Sequence, residues 1–265
     1  MMRPLAFLFV LVSSLSPARA GGDTVPNVAT QAYEAGRYAE ASRLAEEDGT
    51  APALAFAARA LIADAITRPD GLCTDCLRQA ETLARRASAI DPRNVEAHLQ
   101  EAVALGFLGR SMGVFAARRQ GLAERVREQL DKALAIDPGN PWAKASLGAW
   151  NLEIVTHAGS LLATLLYGAE KSVGLELYRS ALRELPEEAL LHYQFALALL
   201  ALDQDGMQAE ARQALERVRS VSRQDALTAF TRERAAILLD AMKGSRRDEL
   251  RRLVLKFQGY PASEP

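Results

Sequence analysis

Ala84-Arg85-Arg86-Ala87-Ser88-Ala89-Ile90-Asp91-Pro92 is answered by Leu130-Asp131-Lys132-Ala133-Leu134-Ala135-Ile136-Asp137-Pro138, with 46 residues from one proline to the next. A looser copy, Tyr178-Arg179-Ser180-Ala181-Leu182-Arg183-Glu184-Leu185-Pro186, closes 48 residues further on. Each is an alanine- and leucine-bearing run that ends on proline. Proline has no N–H to donate and its ring clashes with the preceding turn, so each run reads as a helix that stops there. The residue before the proline is also pushed out of helical geometry. Just beyond, Asn94, Asn140 and Glu187-Glu188 suit the N-terminus of a following helix. Recurrence of such a phrase predicts stacked helix pairs.

Composition agrees. Of 265 residues, 49% are hydrophobic and 25% charged, which excludes wholesale disorder and collagen-like order. There are 49 alanines while aromatics make up only 6%. That favours a core of closely approaching helices over a β-sandwich, which would call for more branched and aromatic side chains. The net charge of −1 argues against a dedicated nucleic-acid binder. The pattern predicts helices at 27–35 with 37–47, 52–67 with 74–90, 94–108 with 118–136, and 140–157 with 170–184. It continues with 187–203 and 206–220, then 225–242 and 245–257. No linker marks a second domain, so 21–265 reads as one solenoid with 225–265 as its polar capping unit.

The chain resembles the tetratricopeptide repeat family at these residues. Ala80, Ala84 and Ala87, and again Gly174, Tyr178 and Ala181, stand where that pattern puts small or aromatic side chains on a second helix. Leu147-Gly148 stands where it puts its Leu-Gly pair, and Gly36-Arg37-Tyr38-Ala39-Glu40-Ala41 is similar to the start of a second helix. The unit lengths depart from the family's 34 residues, which places extra material at 106–121 and 157–174, on the turns between paired helices. These enlarged turns also resemble alanine-rich repeat proteins of bacterial envelopes and, more distantly, the regulator-of-microtubule-dynamics proteins. The resemblance implies an all-α, right-handed solenoid of five to six antiparallel helix pairs. It further implies a concave surface lined by first helices, which here carry Glu96, Leu99, Trp142, Leu190, Tyr193 and Leu197. No Lys, Arg or Asn stands in this groove to clamp a terminal carboxylate. Trp142 and Tyr193 offer rigid aromatic anchors instead.

At the N-terminus, Arg3, the apolar run Leu5 to Ser16 and the small-x-small Ala18-Arg19-Ala20 read as a cleaved signal peptide over 1–20. The run is too short to span a membrane. The expectation is an exported, periplasmic protein. Cys73 and Cys76, the only cysteines, then read as a local disulfide pinning a turn. A redox pair, the other reading, lacks a βαβ setting. The scattered His98, His157 and His192 give no catalytic constellation, and no phosphate loop, nucleophile elbow or metal-ligand spacing appears. Neither a catalytic residue nor a cofactor nor a metal is expected. Arg110, Arg118, Arg119, Arg125 and Arg127 read as a solvated face paired with acids elsewhere, and the arginines of 246–256 likewise. Ile154 to Gly168 reads as a buried or partner-covered helix, membrane association being the lesser reading. The expected function is non-enzymatic: a scaffold that holds another envelope protein or an extended peptide on its concave face. The alternative is a small apolar-ligand or lipid-binding component of an envelope transport system.

Overall fold

A computed structural model describes residues 24–261, apart from 70, 204, 245 and 246. The predicted signal peptide at 1–20 and Arg246 lie outside the described residues. The described chain is all-helical, with α1 (Asn27–Glu34), α2 (Tyr38–Asp48), α3 (Ala51–Thr67), α4 (Thr74–Ile90), α5 (Val95–Met112), α6 (Val114–Arg119) and α7 (Leu122–Ile136). There follow α8 (Pro141–Ala158), α9 (Ser160–Tyr167), α10 (Lys171–Glu184), α11 (Ala189–Leu202), α12 (Gln208–Ser220), α13 (Ala226–Ala241) and α14 (Arg247–Gln258).

The proline phrases end helices as read. Asp91 and Asp137 leave helical geometry immediately before Pro92 and Pro138. The Asn94 Oδ1 then accepts from the Ala97 N–H at 2.9 Å and the Asn140 Oδ1 from the Ala143 N–H at 3.0 Å, each satisfying a backbone donor that the new helix leaves open. His98 and His192 tie down the same turns, their Nε2 atoms each 3.0 Å from the carbonyl oxygen of Pro92 and Pro186 respectively. Both histidines are buried and structural.

Neighbouring helices pack in pairs: α1 with α2, α3 with α4, α5 with α7, α8 with α10, α11 with α12. Alanine makes the close spacing possible. On α3, eight alanines are buried among Leu54, Phe56, Leu61 and Ile62, so that helix is enclosed on all sides. α6 and α9 are the extra material of the enlarged turns. They form separate short helices rather than extensions of the paired ones.

The last pair differs from expectation. α13 packs on α12 and α11 but also touches α1 and α3, and α14 lies on α11. A Cβ at Gly36 would come within 2.8 Å of the Ala226 Cβ, so this junction is tight. Among the described residues, this last pair reaches back to the first helices, and Asp225, Leu227, Thr228 and Tyr260 join the wall of a cavity on the concave side.

Candidate functional site

The inner faces of α3, α5, α8 and α11 surround a cavity of about 620 Å³. Its wall is mainly apolar, from Ile62, Leu99, Val103, Phe107, Val126, Trp142, Ala149 and Leu191. Such walls follow from the sequence of these helices, which carry apolar residues on every face and so offer both core and lining.

Two polar clusters interrupt the lining. In the first, Arg110 on α5 forks onto Glu153 on α8, Nε to Oε1 at 2.9 Å and Nη2 to Oε2 at 2.6 Å. The Arg110 side chain is only 13% exposed. The Tyr260 hydroxyl, arriving from the C-terminal segment, donates to Glu153 Oε1 at 2.6 Å and accepts from His157 Nε2 at 2.6 Å. The guanidinium also lies 5.1 Å from the Phe107 ring centroid. Burial alone would raise the Glu153 carboxyl, yet Arg110 and the Tyr260 hydroxyl outweigh it and hold the group below the ordinary carboxylate range. Burial pushes the nearby Tyr178 phenol up.

In the second cluster, Arg59 pairs with Glu96, to which Gln100 Nε2 also donates at 2.9 Å. Across from it Arg223 pairs with Glu188 at 2.9 Å and with Asp225 at 2.5 Å. Tyr33 sits among these charges, and burial pushes its phenol up to about 12. Every charged side chain lining the cavity is thus neutralised by a neighbour except Arg118, which has no acid partner among the described residues. The clusters hold the walls together.

Of the six residues expected to line a groove, Glu96, Leu99, Trp142 and Leu190 line the cavity. Tyr193 and Leu197 do not. They are 1% and 0% exposed and belong to the core between α11 and its neighbours, so neither presents an anchor to a partner. The physical reason is that α11 is apolar all round and α13 and α14 cover a face that an open solenoid would leave free. Arg110 departs from the solvated face read for its segment, whereas Arg125 and Arg127 pair with Glu81 and Asp131 near the surface. Sequence reasoning missed Arg110 and Glu153 as a pair; the signal was a single full charge in the otherwise apolar C-terminal half of each of the two helices. For Tyr260 there was none.

Cys73 and Cys76 lie at disulfide distance, 2.00 Å between sulfurs, at the start of α4. So small a closed loop removes little entropy from the unfolded chain. Cys73→Ser with Cys76→Ser is expected to lower stability by no more than about 2 kcal/mol in urea unfolding. Among the described residues no group of three or more His, Cys, Asp or Glu is placed to hold a metal ion.

The family model for regulator of microtubule dynamics protein 1-3 matches residues 29–243, which contain nearly all of the cavity wall. The chain belongs to that family. This corrects the tetratricopeptide assignment, since the matching model is not one of that repeat family. The physical ground of the error is now visible. Proline-closed helix pairs with small residues at their crossing are shared by any tight helical array, while units of this family member carry a third short helix, α6 or α9, that the 34-residue repeat lacks. No curated protein sequence matches the chain.

Proposed function

We propose that this family member is a non-enzymatic binding protein that holds one small apolar or amphipathic molecule in the cavity between α3, α5, α8 and α11. The observation that carries the reading is the cavity itself. Its volume, about 620 Å³, falls within the roughly 300–1,000 Å³ of small-molecule sites. Its wall is apolar and nearly all of its charges are already paired, so an apolar body would enter without stranding a charge. Residues 1–20 support export to the periplasm, where such a protein would serve an envelope transport system. A peptide clamp on the same surface has less in its favour, because Tyr193 and Leu197 are spent on the core.

The test uses N-phenyl-1-naphthylamine, an uncharged fluorophore that brightens on leaving water. Saturable brightening with one site per chain is expected. Ala149 lies in the wall and is only partly buried, so Ala149→Phe adds bulk where the cavity has space for it. That variant is expected to bind at least about tenfold more weakly, equivalent to roughly 1.4 kcal/mol. No brightening, or brightening indifferent to Ala149→Phe, would overturn the reading.

A further inference from the structure

α5 and α8 lie side by side, and the short helices α6 and α9 follow their C-terminal ends, so both stand at one edge of the molecule. Ala117 of α6 and Ala163 and Tyr167 of α9 pack onto one underlying cluster that includes Leu105, Leu122 and Trp150. With its alanine turned inward, α9 turns its leucines out. Leu161 and Leu165, one turn apart, are 81% and 74% exposed, and Phe115 of α6 is 90% exposed. Leu162 and Leu166 are exposed as well, and α9 carries no charged residue. Single exposed apolar residues need no explanation, but six, Val114 included, on two short helices that rest on one cluster form a patch that does.

We infer that this edge seats the protein on the surface of an anionic lipid bilayer. Phe115, Leu161 and Leu165 enter the acyl boundary, and Arg118 and Arg119 meet the headgroups. The two arginines are exposed on α6 with no acid partner among the described residues. Near this edge there also stand Glu124 in the first turn of α7, followed by Arg125 paired with Glu81, and the adjacent Glu170 and Lys171 at the start of α10. Helices of 6 and 8 residues are too short to span a bilayer but suited to lie in its interface, where apolar area and cationic charge add. A second copy fits less well, because pairing this edge with itself would bring like-charged arginines together. Leu162, Leu166 and Arg118 border the cavity as well as the edge. If the cavity holds an apolar molecule as proposed above, it would pass to and from lipid here; the docking itself does not depend on that.

The experiment places an environment-sensitive nitrobenzoxadiazole on Leu161→Cys in the full chain and adds vesicles of phosphatidylglycerol and phosphatidylethanolamine. Ala89→Cys is the control, at the far end of the helix layer, near where α5 begins; 18 residues of α5 separate the two ends by about 27 Å. A blue shift at Leu161→Cys but not at Ala89→Cys is expected. Arg118→Glu with Arg119→Glu is expected to weaken partitioning at least roughly tenfold. Attachment through residues 1–20 alone would leave the probe in water, so an unshifted probe overturns the proposal. So does an equal shift with phosphatidylcholine vesicles, or a shift without lipid that grows with protein concentration, which would show a second copy covering the edge. N-phenyl-1-naphthylamine binding, read separately, reports whether the cavity reading stands.

Discussion

Glu153→Ala is expected to lower the unfolding free energy by about 3–5 kcal/mol, because it strands the Arg110 guanidinium in a site where that side chain is 13% exposed. Against a total stability of roughly 5–15 kcal/mol, that loss removes much of the margin. The variant also removes the carboxylate that accepts from the Tyr260 hydroxyl, while the bond between that hydroxyl and His157 of the same helix stays. Removing both charges together, in Arg110→Met with Glu153→Leu, is expected to recover most of the loss, since the desolvation of two ions goes with their attraction. The pH dependence has a definite sign. The Glu153 carboxyl is depressed in the folded state. Its contribution is therefore fully present above the ordinary unfolded value of about 4.3 and is lost as pH falls through the folded value. Glu101 works in the opposite sense, because burial raises its carboxyl. Urea unfolding of Glu153→Ala and the parent from pH 7 downward isolates the first: the gap between the two should narrow as the acid limb is entered. A constant gap would refute the assignment.

Gly148→Ala is the second large effect expected. α8 and α10 cross at Gly148 and Gly174, and a Cβ on Gly148 would sit 2.8 Å from the Gly174 carbonyl oxygen and 3.1 Å from the Tyr178 backbone nitrogen. Neither backbone atom can move aside as a side-chain tip could. The helices must separate, at a cost of about 1–3 kcal/mol, although alanine is intrinsically the better helix former by roughly 1 kcal/mol. A net loss of stability is expected because packing outweighs propensity here. Gly106, where an added Cβ meets nothing within 4 Å, is the control: Gly106→Ala should be neutral or stabilising. Thermal unfolding of the two variants side by side would show opposite shifts. Equal shifts would mean the crossing is looser than described.

Those two glycines also show how far the sequence could be read. Gly148 and Gly174 are legible from the repeat pattern alone as small residues at a helix crossing, and they meet each other. Asn94 and Asn140 were legible as helix starts because a capping side chain acts on its own next turn, within the reach of local pattern. The same locality explains the failures. α6 falls in a stretch that reads as a turn because its helical run is too short for periodicity to register, and α9 reads as part of one helix over Ile154 to Gly168 that Gly159 in fact interrupts. Leu161 to Leu166 were expected to be covered because apolar residues usually are. Tyr193 and Leu197 were assigned to an open face because nothing local says that α13 and α14 return to cover it. The pairing of Arg110 with Glu153, 43 residues apart, depends on how α5 and α8 stack, and that of Tyr260 with Glu153, 107 apart, depends on that return as well. The cavity is a product of closure, and closure is a long-range property.

Native mass spectrometry of the protein purified gently from the cells that make it tests the ligand-holding cavity most directly. A stoichiometric extra mass below about 1 kDa, present in the parent and absent from Ala149→Phe, is the expected result, a mass suited to a drug- or lipid-sized occupant. A parent that flies bare, or an added mass that survives filling the cavity, would contradict the account.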